Sequence, residues 1–441
     1  MARGLDVEVH LLETHTRQKK YSLDSSLNHT FISVKEIAYF NEEVFTPIAG
    51  TEATGDYKEE FRPIVEKEWD LMVVDDLFTV TGYSLALRNH ERYGRPYILI
   101  STTLPTVYWC SLMSLGHNAL HRPSLYAPKD FSTSRFSHRL EAIAQAALNG
   151  GGMKFINEWL LTRGPSLLGV TDYSISRLVQ QSSYYFLDDI NYFAYPSPVG
   201  HDVVHVGLSC PSLPAALPAE YESFVSSNNS KGVIYIAFGS NVPWRFAPAH
   251  HMKVFVDGLN QFRDYKVIFS FNGHRHQLEG LGDHVLVTSW APQKEILYDS
   301  RTILYITHGG LKSMKESVCS ESPVLFMPLF AEQSHNAHMA KREGFGDIID
   351  KKALSVPDFV DKVSRFLSQP SYKQSIIRFK SLMLDRPISA EDSVAYHTRR
   401  ALTKSSSLAR FKRRGQFLDI IHHLQLIPIS VIASLCYFLS Q

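Results

Sequence analysis

One stretch of the chain combines an apolar run, two glycines and polar side chains that suit a phosphate group. The run 303–307 predicts a strand, Gly309 and Gly310 predict a tight turn, and a helix is expected to begin there. The first turn of a helix offers unpaired N–H groups and a partial positive charge, which suits a diphosphate. His308 and Ser313 can each add a hydrogen-bond donor. Taken alone, a Gly-Gly turn is more often only a turn.

Polar residues on either side of this stretch suit a nucleoside. Glu316 lies one turn beyond Ser313 on the same helix face, and a carboxylate there can accept two hydrogen bonds from a ribose diol. Upstream, Trp290 follows the run 285–288, where an indole face can stack on a flat base. Gln293 can bond the base or the ribose. Packing in the core is the alternative interpretation of Trp290.

A third group follows the next apolar run, 324–327. Glu332 and Gln333 are expected to begin a helix there, and together they can bind sugar hydroxyls. The alternative for Glu332 is an acid favoured at a helix N-terminus by the dipole. An NAD-dependent enzyme is poorly supported, because no GxGxxG sequence follows a predicted first strand.

Composition narrows the class of protein. With 441 residues, 44% of them hydrophobic, the chain is too long for one core and predicts two domains. A net charge of +1 gives no electrostatic footprint for nucleic acid. The four cysteines form no CxxC pair for a metal and no dense disulfide framework.

Apolar runs of strand length alternate with segments of helix length in both halves. This pattern predicts an α/β fold with doubly wound parallel sheets, whose ligands bind beyond the carboxyl ends of the strands. The runs that predict strands are 7–12, 71–74, 96–100, 233–238, 267–271, 285–288, 303–307 and 324–327. A Pro-rich passage from 195 to 218 marks the boundary. We therefore predict an N-terminal domain over 1–210, a linker over 211–231 and a C-terminal domain over 232–400.

The C-terminal end has its own pattern. Residues 401–423 form a basic segment, and 424–441 are strongly apolar without a charge, close to the shortest length for a membrane span. We predict a juxtamembrane segment followed by a membrane anchor, the alternative being a buried final helix. The basic cluster favours a body facing the cytosol. Glycosylation at Asn28 or Asn228 would refute that orientation.

These motifs together resemble the signature of the UDP-glycosyltransferase family, of the animal UDP-glucuronosyltransferase type. The residues that fall at the family's spacing are Trp290, Gln293, Leu297, Thr307, His308, Gly309, Gly310, Ser313, Glu316, Pro323, Pro328 and Gln333. Two positions depart from it: Lys312 stands where the family often has Asn, and Glu321 where it usually has Gly. Lys312 has three possible partners, a phosphate, a sugar carboxylate or solvent.

The resemblance implies a fold and a reaction. The fold is GT-B, two facing Rossmann-like domains, followed here by the C-terminal hydrophobic helix. The reaction is an inverting, metal-independent transfer from UDP-glucuronate or UDP-glucose to a small lipophilic acceptor, with the UDP-sugar as co-substrate and no cofactor. The implied location is the endoplasmic reticulum membrane, with a single span, and homo- or hetero-oligomers with relatives are left open.

The resemblance also assigns roles residue by residue. Trp290 would stack on uracil, while Gln293 and Glu316 would hold the nucleoside. Glu332 and Gln333 would bind the sugar. The residues implied around the diphosphate are Ser240, His308, Gly309, Gly310 and Ser313.

The catalytic base is the open point. Asp75, at the end of the run 71–74, matches the family's acid that orients a base histidine, although it can simply end a strand. The first strand and the histidine loop of the family would precede Met1, and His10, His15 and His29 do not fit the pattern. We therefore expect weak transfer by the chain as written. A non-catalytic UDP-sugar binder, acting as a regulatory partner of full-length relatives, is the alternative function.

Overall fold

In this computed structural model the described part of the chain builds two parallel β-sheets, one in each half. The structure describes these ranges and single positions: 63–76, 80–103, 107–115, 131–155, 165, 168–190, 199–226, 230–239, 242, 244–329, 332–417, 430 and 434.

The first sheet, within the described ranges, has four parallel strands in the order β1-β2-β3-β4. These strands are β1 (Met72–Asp75), β2 (Tyr97–Ser101), β3 (Tyr184–Leu187) and β4 (Val203–His205). Apolar runs suit strands that are covered on both faces, and all of β3 is buried. The predicted runs 71–74 and 96–100 thus form neighbouring strands, whereas 7–12 lies outside the described residues.

In the described ranges, helices lie between these strands along the chain. They are α1 (Val80–Tyr93), α2 (Val107–Leu112), α3 (Phe136–Phe155) and α4 (Ile175–Gln181). Helix α4 begins at a side-chain N-cap, where Ser174 Oγ accepts a hydrogen bond from the Arg177 amide at 3.1 Å. Its residues Ile175, Leu178 and Val179 pack into the same core as the strands.

The second sheet has, in the part of the chain that is described, six parallel strands in the order β10-β9-β8-β5-β6-β7. They are β5 (Val233–Ala237), β6 (Lys266–Ser270), β7 (Val285–Thr288), β8 (Thr302–Thr307), β9 (Val324–Phe326) and β10 (Gly346–Ile348). Strands β5 to β7 advance to one side and β8 to β10 to the other, so the order reverses between β5 and β8. This is the doubly wound sheet predicted for the second half.

Eight helices accompany this half in the described ranges. They are α5 (Ala219–Ser226), α6 (Ala249–Leu259), α7 (Gln293–Tyr298), α8 (Leu311–Ser320), α9 (Gln333–Arg342), α10 (Val356–Ser368), α11 (Ser371–Leu384) and α12 (Ala390–Leu408). Helix α10 shows how sequence defines them: Ser355 caps its start, and Phe359, Val363 and Phe366 are buried at a spacing of one helical turn.

Strand β5 divides two hydrophobic cores. Ile234 and Ile236 enter the core under α6 and α10, whereas Val233, Tyr235 and Ala237 enter the core shared with α7 and α8. Successive side chains of a strand point to opposite faces, which produces this alternation. Tyr235 therefore lies on the sheet face that carries α7 and α8.

The last helix returns to the first domain. Val394, Ala401 and Leu408 of α12 pack against β2, β3 and β4. Beyond it, Lys412 and Arg413 both bind the buried carboxylate of Asp202, with Lys412 Nζ 3.4 Å from Oδ2. Burial lowers the pKa of Lys412 to about 8. Two charges of the predicted basic segment are therefore partners of Asp202.

No helix in the ranges given above is both long and apolar enough to cross a membrane. The predicted anchor, 424–441, lies outside those ranges apart from two single positions.

A disulfide joins Cys210 to Cys319, 109 residues apart. Cys210 lies at the predicted domain boundary, and Cys319 lies in the last turn of α8. The widely spaced cysteines gave no sign of this pairing, because disulfide partners are chosen by tertiary proximity rather than by spacing.

Replacing Cys210 and Cys319 together by serine should lower the free energy of unfolding by about 2–4 kcal/mol, because the disulfide closes a long loop in the unfolded chain. Chemical denaturation of wild type and variant measures the difference. Dithiothreitol should destabilise wild type and leave the variant unchanged. A non-reduced digest without a linked Cys210–Cys319 peptide would contradict the pairing.

Candidate functional site

Strands β5 and β8 end side by side at the point where the strand order reverses, and ligands of doubly wound sheets bind in that crevice. Ala237 pairs with Thr307 at the last position of the register, and Gly239 and His308 follow. Gly239 has φ +71, and a Cβ there would lie 3.0 Å from His308 Cε1. Glycine thus lets the imidazole lie against this loop. The predicted Ser240 lies outside the described residues.

The turn after β8 needs glycines, because neighbouring groups leave no room for a side chain there. Gly309 has φ +95, and its carbonyl accepts a hydrogen bond from buried Asn336 Nδ2 at 2.8 Å. At Gly310, the N-cap of α8, a Cβ would lie 2.8 Å from His308 Nε2. Gly310 has no side chain to cap this helix and the first turn carries no acid, but the amide of Leu311 donates to the carboxylate of Glu332. The next N–H groups of this first turn have no partner within the helix and are placed to meet an anion.

His308 is neutral at physiological pH. Burial lowers its pKa to about 4, and Thr307 Oγ1 lies 3.3 Å from Nδ1. A neutral imidazole has one N–H donor and one acceptor nitrogen. His308 can therefore offer a hydrogen bond to a phosphate oxygen without bringing a full charge.

Gln293, Ser313 and Glu316 form one hydrogen-bonded network between α7 and α8. Gln293 Nε2 donates to Glu316 Oε2 at 2.5 Å and to Ser313 Oγ at 3.3 Å. Its Oε1 accepts from the hydroxyls of Tyr235 at 3.3 Å and Tyr305 at 3.0 Å. Burial raises the pKa of both tyrosines, so they stay protonated donors. The three polar residues that the sequence selected thus lie together.

Trp290 presents its ring to solvent. The residue is 72% exposed, which rules out the core-packing interpretation. Its carbonyl accepts hydrogen bonds from Thr288 Oγ1 at 2.6 Å and Tyr221 OH at 3.1 Å. The backbone is thus held while an aromatic face stays open for a flat partner.

Glu332 and Gln333 begin helix α9, as predicted, with Glu332 as the N-cap. Burial raises the pKa of Glu332. Gln333 is 3% exposed, and its Oε1 accepts from the Leu329 amide at 2.9 Å. Lys351 Nζ donates to the carbonyl of the same Leu329. Gln333 and Lys351 therefore both hold Leu329, which follows β9.

Two adjacent acids end strand β1, and the structure separates their environments. Asp75 Oδ2 accepts from Thr102 Oγ1 at 2.5 Å at the carboxyl edge of the first sheet. Asp76 is buried at 4% exposure and accepts from Tyr185 OH. Burial, and secondarily the charge of Asp75, raise the pKa of Asp76 to about 8, against the opposing Tyr185 bond. Asp75 is thus the acid with an accessible carboxylate.

The two departures from the family signature both make ion pairs. Lys312, for which phosphate, sugar carboxylate and solvent were open partners, instead donates to Asp188 after strand β3. Glu321, the C-cap of α8, has a left-handed φ of +60, which disfavours residues other than glycine. Lys380 Nζ lies 2.9 Å from its carboxylate and Lys373 Nζ donates to its carbonyl at 2.8 Å. These contacts hold Glu321 in that conformation.

Sequence reasoning missed several residues around the site. Tyr235 and Tyr305 lie in apolar runs that predict buried strands, and nothing in the sequence indicates that their hydroxyls donate to Gln293. Asn336 lies in the interior of a helix. In the sequence, Asp188 is only a polar residue after an apolar run, and Lys315 is only one of several charges in a predicted helix.

Comparison with known proteins identifies the family. Residues 160–398, more than half of the chain, match the family described as UDP-glucoronosyl and UDP-glucosyl transferase. The chain belongs to this family. The match includes the whole stretch from Trp290 to Gln333 in which the site lies.

Relatives of this family differ in how much they share with the chain. UDP-glycosyltransferase UGT5 of Dactylopius coccus is 24% identical over 84% of this chain and 70% of its own length. Human UDP-glucuronosyltransferase 2B7 is 30% identical over 46% of this chain and 38% of its own length. The chain thus spans less than half the length of the human relative.

Solved structures show the fold. The glycosyltransferase of kitacinnamycin aligns with a TM-score of 0.55 at 17% identity, covering 86% of this chain and 85% of its own. LpCGTa in complex with UDP also gives 0.55, at 14% identity, with 81% of each chain covered. The predicted GT-B architecture is confirmed.

Proposed function

We propose that the protein transfers a hexosyl or glucuronosyl group from a UDP-sugar to a hydroxyl of a small lipophilic acceptor. One observation carries the proposal: the exposed Trp290, the Gln293–Ser313–Glu316 network and the Gly-Gly turn at the start of α8 follow one another along one sheet edge. In this proposal the base lies on Trp290, the ribose on the network and the diphosphate at the start of α8. The acceptor class rests on the family alone.

In this proposal the donor site supports an inverting displacement at the anomeric carbon without a metal ion. Negative charge grows on the diphosphate as the glycosidic bond breaks. The amides of the first turn of α8 and the neutral His308 would donate hydrogen bonds to it. Asp75, with Thr102 as its partner, would orient a base histidine, but His10, His15 and His29 do not match that position, so we expect transfer to be weak.

Transfer of radiolabelled sugar tests this function. The full chain is incubated with UDP-[14C]glucose or UDP-[14C]glucuronate and a panel of phenols and alcohols, and labelled products are separated by chromatography. Label in an acceptor supports the proposal, and the better donor identifies the sugar. UDP binding without transfer would favour the non-catalytic, regulatory binder. A folded chain that does not bind UDP would overturn both functions.

We further propose that residues 424–441 anchor the protein in the endoplasmic reticulum membrane by a single span, with the body on the luminal side. The Cys210–Cys319 disulfide supports this side, because disulfides persist in oxidising compartments and are rare in the cytosol. The basic cluster favoured the opposite side. The basic cluster is weaker evidence for the cytosolic side than its charge indicates, because Lys412 and Arg413 pair with Asp202.

A further inference from the structure

Asp188 connects the two halves of the chain. It follows β3 at the carboxyl edge of the first sheet, and its two oxygens bind two lysines of α8 in the second half. Oδ1 lies 2.5 Å from Lys315 Nζ, and Oδ2 accepts from Lys312. Both lysines lie in the first two turns of the helix whose start faces the crevice.

The Asp188–Lys315 pair differs from ordinary surface pairs, which are screened and contribute little, whereas the side chain of Lys312 is 55% exposed. The side chains of Asp188 and Lys315 are only 20% and 16% exposed. Partial burial strengthens the attraction and makes an unpaired charge costly for either group. One carboxylate serving two ammonium groups also fixes its position better than a single contact does.

Helix α8 is tied to the preceding half of the chain at its other end as well. Cys319, in its last turn, is bonded to Cys210, which follows β4 by five residues. The same helix carries Ser313 and Glu316. A rotation of the second sheet against the first would therefore have to break the Asp188 pairs.

We propose that Asp188 is a positioning residue: through Lys312 and Lys315 it holds α8 against the carboxyl edge of the first sheet before a donor binds. This proposal rests on the donor site proposed above. Domains joined by a linker move relative to each other by default unless an interface holds them. The geometry assigns that role to Asp188 rather than to the nucleotide.

Distances between two spin labels test this role in the full chain without ligand. Labels are placed on Arg92→Cys in α1 and Lys253→Cys in α6, both exposed, with Cys436→Ser to remove a competing thiol. Wild type should give one narrow distance distribution. Asp188→Asn should broaden it about twofold or more, because the ion pairs that hold α8 against the first sheet are lost. Asp188→Glu, which keeps the charge, should restore a narrow distribution.

A mutant cycle and a matched control complete the test. Lys312→Gln/Lys315→Gln should broaden the distribution as Asp188→Asn does, and combining all three should add nothing. Asp264→Asn breaks an Asp–Lys pair of 2.6 Å with Lys231 inside one domain and should change nothing. An unchanged distribution in Asp188→Asn would overturn the proposal.

UDP titration of wild type tests the donor site separately, so failure of the positioning role can be distinguished from failure of the proposed function.

Discussion

Replacing Glu316 by alanine should weaken UDP binding by about 100-fold, equivalent to about 2.7 kcal/mol. Its carboxylate is placed to accept hydrogen bonds from a ribose diol, and bonds to a charged group contribute about 1.5–3 kcal/mol each. The substitution also leaves Gln293 Nε2 without its 2.5 Å partner. Isothermal titration of UDP into the full chain measures the change.

Two variants make the Glu316 result specific. Glu279→Ala removes an exposed carboxylate of the same domain and should leave UDP affinity unchanged. Glu316→Gln keeps the shape and should bind UDP more tightly than the alanine variant. Wild-type affinity in Glu316→Ala would mean that the ribose does not lie against this carboxylate, and the nucleoside assignment would then be wrong.

Replacing Asp76 by asparagine should stabilise the protein by roughly 2–4 kcal/mol at pH 7.5, since each unit of pKa shift is equivalent to 1.36 kcal/mol. The folded pKa of about 8 lies above the ordinary value of 3.8. Between these values the folded chain binds more protons than the unfolded chain, so Asp76 makes stability fall as pH rises. Asparagine cannot ionise and can still accept from Tyr185.

The pH dependence distinguishes this cause from a change in packing. Urea unfolding from pH 4 to pH 8 should show a stabilisation by Asp76→Asn that grows with pH and vanishes near pH 4. Asp70→Asn is the control, because Asp70 precedes the same strand with an 80% exposed side chain. A difference that is constant across pH would contradict a buried, protonated Asp76.

His308 acts on stability in the opposite direction. Its folded pKa of about 4 lies below the ordinary value of 6.5, so the unfolded chain binds more protons between these values. Its contribution is complete above pH 6.5 and is lost as pH falls towards 4. Between pH 4 and pH 6.5, stability therefore falls with pH because of Asp76 and rises with pH because of His308.

The sequence alone determined the local architecture of the donor site. The apolar run 303–307, the two glycines and the helix that follows form the predicted strand, turn and helix. Such features follow from side-chain periodicity and from the backbone freedom of glycine, which act over a few residues. The alternation of strands and helices likewise predicted the doubly wound second sheet, since each run had to be buried on both faces.

Only the tertiary structure decided which distant groups meet. Gln293 is paired with Glu316 and two strand tyrosines, Lys312 with Asp188, and Cys210 with Cys319. Helix α12 returns to the first sheet, although its residues precede the predicted membrane segment. A local pattern shows that a side chain is polar or apolar, but its partner is chosen by how strands and helices pack across the whole chain.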